Sequence, residues 1–158
     1  MGCDIHIFLE KKADEKYDVW ERVSLYYINE YTHDLECAEP YNGRDYDLFS
    51  LLAGVRGWYE PFDSCRGLPD SVSSKIEAEH VGWGMDCHST SWYDLYELNL
   101  FIKDFKMANI EDEIEKEEKM IPRLERFWEG IINYLEFAGE FVWDIKPNKY
   151  RIIFWFDN

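Results

Sequence analysis

Polar and apolar residues alternate through CDIHIFLEKK. The pattern predicts a strand with Cys3, Ile5 and Ile7 on one face and Asp4 and His6 on the other. ADEK reads as a turn and YDVWERV alternates again, so the two segments predict a β-hairpin. From Ser24 to Tyr41 no period is clean and the chain reads as irregular. NGRDYDLFSLLAGVRG predicts a helix with Leu48, Leu51, Leu52 and Val55 inward and Gly57 just past its end, which sets Asp45 and Arg56 on one stripe. Trp58 to Cys87 is rich in Gly, Pro, Ser and Asp and reads as a long connection. STSWYDLYELNLFIKDFKM predicts a second helix, capped by Ser91 with Asp94 three residues on, and seamed by Leu95, Leu98, Ile102 and Phe105. A further helical stretch follows, in which the charged run around Glu111 to Lys119 reads as a solvated face. Pro122 kinks this stretch or opens a new helix, and Leu124, Phe127, Trp128, Ile131 and Leu135 form its buried side. The closing segment reads as a hairpin turning at Pro147–Asn148. Its last strand, YRIIFWF, is apolar on both faces apart from Arg151, as a central strand is, and is placed beside the first strand.

These elements predict an α+β fold: a small, mostly antiparallel sheet made of an N-terminal and a C-terminal hairpin, with helices packed on one side. A length of 158 residues suits a single domain spanning 1–158, large enough to fold without a disulfide or metal staple. A net charge of -16 changes the picture of partners. Such a surface repels nucleic-acid phosphates and anionic membranes, so direct binding to either is not expected. It leaves a small anionic ligand held in a local pocket, or a basic protein. The simplest competing reading is that the acidity only keeps the protein soluble. No apolar run approaches a membrane span, no signal-peptide pattern precedes the first strand, and four cysteines without a CxxC pair do not form a disulfide framework. A cytoplasmic location is expected.

Asp4-x-His6 recurs as Asp86-x-His88. Two carboxylates and two imidazoles suit Zn, Mn or Fe with room for a water that the metal makes acidic. Against this stands the plainer reading that Asp4 orients His6 within the fold and His88 sits in a loop. Cys3, His6, Cys87 and His88 offer a thiol alternative, and Cys87 beside His88 or His6 a nucleophile with a base. Arg44, Arg56 and Arg66 fall in a stretch without lysine, and arginine grips carboxylate or phosphate with a planar fork. With His88 and Ser89 at the start of a helix they would line a pocket for a nucleotide or phosphoester. The competing reading pairs these arginines with the abundant carboxylates.

The set MGCDIH, RDYDLFSLLAGVR, RGLPDS, DCHSTSW and the terminal RIIFWFDN resembles a family of small uncharacterised proteins encoded by bacteriophages and some bacteria. The resemblance implies a phage or prophage setting, hence host cytoplasm, and a counter-defence or host-takeover role. It brings no activity with it.

The expected function is a small hydrolase or nucleotide-processing enzyme acting on a phosphoester or nucleotide. Asp4, His6, Asp86 and His88 would hold a divalent metal, with His6, Asp86, His88 and Ser89 in catalysis and Arg44, Arg56 and Arg66 on the anionic substrate. The alternatives are an acidic interaction protein that mimics nucleic acid before a basic host protein, and a sponge that binds a nucleotide without cleaving it.

Overall fold

The computed structural model describes residues 2–108, 112–140 and 149–158. β1 (Ile5–Lys12) and β2 (Trp20–Val23) form the expected hairpin, with Leu9 opposite Val23 and Lys12 opposite Trp20. β3 (Tyr26–Ile28) and β4 (Leu35–Cys37) make a separate antiparallel ribbon within the stretch whose pattern reads as irregular. α1 (Tyr46–Ala53), α2 (Ser74–Trp83), β5 (His88–Asp94) and α3 (Leu95–Met107) follow. α4 (Glu113–Glu115) then runs through a π-helical turn at Lys116–Met120 into α5 (Ile121–Phe137), with Pro122 in its first turn. β6 (Tyr150–Phe156) closes the main sheet, whose order is β2-β1-β6-β5 with every neighbouring pair antiparallel. The fold is therefore α+β. The expected turn at Pro147–Asn148 lies outside the described residues.

β6 is central and all seven of its residues are buried. Its even-numbered side chains, Ile152, Phe154 and Phe156, join Ile5, Ile7 and Leu9 of β1 in the main core. The apolar faces of α1, α3 and α5 cover that core through Leu48, Leu52, Leu98, Ile102, Phe127 and Ile131. The helices expected from the sequence thus pack on one side. The opposite face of β6 carries Ile153 and Trp155, which pack with Phe8, Trp92 and Ile76. Ile76 belongs to α2, a helix lying within the stretch that reads as a connection, so this second face is covered too.

Three local differences matter for the site. α1 stops at Gly54, whose left-handed φ of 69° lets its N–H reach the Ser50 carbonyl at 2.7 Å. Arg56 therefore lies beyond the helix, itself left-handed at φ 59°, and not on a stripe with Asp45. Gly57 does not end the helix but lets the chain cross it closely. A Cβ there would come within 2.3 Å of Ser50 Cβ and 2.6 Å of the Tyr46 carbonyl, so only glycine fits. Finally, His88–Asp94 is a strand and not a helix start. α3 begins at Leu95, capped by Asp94, which accepts the Glu97 N–H at 2.7 Å. Ser-x-x-Asp at 91 and Asp-x-x-Glu at 94 both resemble caps, and the second is the one used. Ser91 is instead buried against β6, where it faces Phe154.

Candidate functional site

The two ends of the chain meet where β1 and β6 pair. The Asp157 N–H donates to the Asp4 carbonyl at 3.1 Å, and Asp157 Oδ1 accepts the Asp4 N–H at 3.1 Å. His6 Nε2 lies 3.1 Å from Asp157 Oδ2. Burial works to raise the pKa of Asp157, but the hydrogen bonds from His6 and Asp4 and the charges of His6 and Arg44 outweigh it and hold the carboxyl below its usual range. In the neutral imidazole, an N–H on Nε2 donates to the ionised Asp157 and leaves Nδ1 as the acceptor. The carboxylate that orients His6 is therefore Asp157, not Asp4. Both oxygens of Asp4 are occupied by Arg44, whose Nε and Nη2 donate at 2.8 Å each.

The second Asp-x-His pair goes elsewhere. Asp86 is exposed on a single 3-10 turn (Gly84–Asp86). His88 stands opposite Phe156 and its Nε2 is 4.0 Å from the buried Cys3 thiol, whereas His6 stands opposite Trp155. Phe156 and Trp155 belong to opposite faces of the sheet, so the two imidazoles do as well. Asp4, His6, Asp86 and His88 thus do not converge on one ion. Among the described residues no group of three or more His, Cys, Asp or Glu gathers in a way that could hold a metal.

His88 is placed by a bulge. His88 and Ser91 pair with Phe156 and Phe154, so Ser89 and Thr90 of β5 stand against Trp155 alone of β6, and the extra residue is accommodated by Ser89 at φ 53°. Ser89 Oγ lies 3.0 Å from His88 Nδ1. The Cys3–His88–Ser89 chain resembles a nucleophile with its base, but burial pushes the Cys3 thiol up against the opposing charge of Arg56, and no part of Cys3 is exposed. Cys87 Sγ contacts Thr90 Oγ1 at 3.5 Å, and the same hydroxyl is 2.9 Å from His80 Nε2.

Two of the three arginines expected to bind substrate are held by carboxylates. Besides Arg44 on Asp4, Arg66 forks onto Glu97 at 2.5 and 2.8 Å and reaches Asp63 at 2.8 Å. Arg66 also stacks on Trp92 and Tyr93. The expected pocket of Arg44, Arg56 and Arg66 beside a helix start is therefore not formed: Arg44 and Arg66 serve separate carboxylates, and the segment at 88–94 is a strand. Among the described residues Arg56 has no carboxylate within 4.0 Å.

A polar cavity opens instead on the α2 side. His6 lies against Trp83, ring centroids 4.2 Å apart, at the wall of a recess of about 230 Å³ shared with Phe8, Arg22, Cys37 and Glu79. Arg22, Glu79 and Trp83 also line a wider groove of about 820 Å³ with Tyr26 and Lys75. Arg22 is loosely held, 3.9 Å from Glu79 and 3.6 Å from Cys37 Sγ, with its guanidinium over Phe8. Here a carboxylate-paired imidazole, an arginine that among the described residues leaves donors unused, and a half-buried indole share one opening. Sequence reasoning named His6 but missed Arg22, Glu79 and Asp157. Asp157 follows once the last strand is set antiparallel to the first, because its residues then run back past Asp4. Arg22 is placed by the β1–β2 pairing, opposite Glu10 on the face that carries His6, whereas Glu79 depends on where α2 docks.

Compared with protein-family models, with curated proteins and with solved structures, the chain matches none.

Proposed function

We propose that the protein is a small hydrolase of nucleotides or related phosphoesters, with its site in the recess between α2 and β1. The observation that carries this reading is the Asp157–His6 pair opening on the same recess as Arg22. His6 Nδ1 takes a proton from water, the water oxygen bonds to phosphorus, and the bond to the leaving oxygen breaks. Arg22, with Lys75 along the groove, offsets the negative charge that builds on the phosphoryl oxygens. Trp83 and Tyr26 offer surfaces on which a base can stack. The imidazoles of the two Asp-x-His pairs lie on opposite faces of the sheet, and the four residues do not fit one metal ion. In the phage setting that the sequence resemblance implies, the substrate would be a nucleotide signal of the host's defence.

Melting shifts with a panel of mononucleotides and cyclic dinucleotides, followed by product analysis, test the reading. Wild type is expected to be stabilised by at least one of them and to turn it over. Arg22→Gln should lose the shift, and His6→Asn should keep it while turnover falls by about 10²–10⁴-fold. Ligand recovered intact after incubation and denaturation of the protein would reduce the site to a sponge. No shift with any of the panel would end the proposal.

A further inference from the structure

On the other side of the sheet, α1 and α3 bound a cleft of about 570 Å³ with a different chemistry. Phe62 and Phe101 stack in it at 5.5 Å, and Tyr59 meets Phe105 edge to face at 6.1 Å. Trp58 stands at its rim, 96% exposed. That exposure does not come from a loose loop. Gly57 is pressed onto Ser50 and Tyr46, the Tyr59 N–H reaches Ser50 Oγ at 3.4 Å, and the Phe62 N–H donates to the Leu51 carbonyl at 2.7 Å. The backbone is fastened to α1 on both sides of Trp58, which places its indole at the rim.

Glu60 and Asp104 complete the cleft, and among the described residues neither has a cation within 4.0 Å. Burial raises the pKa of Tyr59, and the charges of Glu115 and Asp47 add to it against that of Arg123. Of the cations around it, Lys116 donates to the Ala108 carbonyl and Arg123 is bridged to Asp45 and Asp47. Glu60 and Asp104 are exposed at the cleft, so an anion would be repelled there and a cationic head attracted. A guanidinium or ammonium on an alkyl stem satisfies both parts, with its stem on the phenyl rings and its head between indole and carboxylates.

We propose that this cleft is a docking site for a basic segment of a partner protein, which inserts an arginine or lysine side chain against Trp58 between Glu60 and Asp104. This surface is separate from the His6 recess and does not depend on that reading. The net charge of -16 steers such a segment toward it.

A labelled short peptide with two arginines, and the same peptide with citrulline in their place, can be titrated by anisotropy at low salt. Saturable binding of the arginine peptide and its loss with citrulline are expected. Trp58→Ala should weaken binding by roughly fivefold or more, and Asp104→Asn by a comparable amount, whereas Glu30→Gln on the β3–β4 turn should change it less than about twofold. Since Trp58 is almost fully exposed, its replacement leaves the fold intact. Equal affinity for wild type and Trp58→Ala, equal affinity for the two peptides, or no saturable binding would each overturn the proposal.

Discussion

Glu10 is wholly buried, yet it is a carboxylate on a strand. Its Oε1 accepts Arg151 Nε at 2.8 Å, and its Oε2 accepts the Ser73 N–H at 2.7 Å, so one side chain ties β1 to β6 and caps α2 from outside. Arg151 is completed by Ser71 and by the Trp20 face 3.9 Å away. Removing one member leaves the other charged and dry. Glu10→Ala should cost about 3–5 kcal/mol in urea unfolding, and replacing both Glu10 and Arg151 by leucine and methionine far less. A cost below about 1 kcal/mol for Glu10→Ala would show that the pair is not such a tie. Asp157 gives a pH-dependent counterpart. Its folded pKa lies below its unfolded one, so its contribution is complete above about pH 4 and is lost as pH falls through the folded value. Asp157→Asn should therefore destabilise by about 1 kcal/mol at neutral pH, with the difference from wild type closing in strong acid. A gap unchanged at low pH would mean that the carboxylate charge is not what His6 and Asp4 use.

At the scale of elements, the β5 bulge is the most informative feature. Ser89 at φ 53° costs a non-glycine residue conformational energy, and a β-branched side chain there costs more. Ser89→Gly should match or exceed wild-type stability, while Ser89→Val should lose more than about 1 kcal/mol; equal values for the two would argue against a left-handed backbone. β5 also shows why part of the fold was illegible. Strands β1 and β6 announce themselves by alternation and by an apolar run, and α3 and α5 by seams at helical spacing. His-Ser-Thr-Ser has neither, and two overlapping cap-like patterns point to a helix start. α2 buries only Ile76, so SKIEAEHVGW carries almost no apolar period to reveal it. His6 was legible as a candidate through the Asp-x-His spacing that recurs at Asp86 and His88. Glu79 and Trp83 were not, because they reach it only through the docking of that poorly marked helix, and Arg22, though placed by the expected hairpin, carries no signal of its own.

For the whole molecule, the excess of 33 acidic over 17 basic side chains sets two salt effects of opposite sign. Folding gathers sixteen net negative charges into a small volume, and the unfolded chain spreads them, so self-repulsion opposes the folded state. Salt screens that repulsion. The exposed ion pairs weakened by the same salt, such as Lys106–Glu125, contribute at most about 1 kcal/mol each. The buried Glu10–Arg151 tie is shielded from it. Raising sodium chloride from about 20 mM to about 300 mM should therefore raise the melting temperature, by about 2–4 °C for each kcal/mol of repulsion removed. Binding of an arginine peptide at the Trp58 cleft should weaken over the same range, because there the field attracts. The two curves are measured on one protein in one salt series, and they separate the global charge from the local site. If melting temperature and peptide affinity fell together, attraction between surface ion pairs would outweigh net repulsion. If affinity held while stability rose, the cleft would bind through its aromatic rings alone, without the carboxylates.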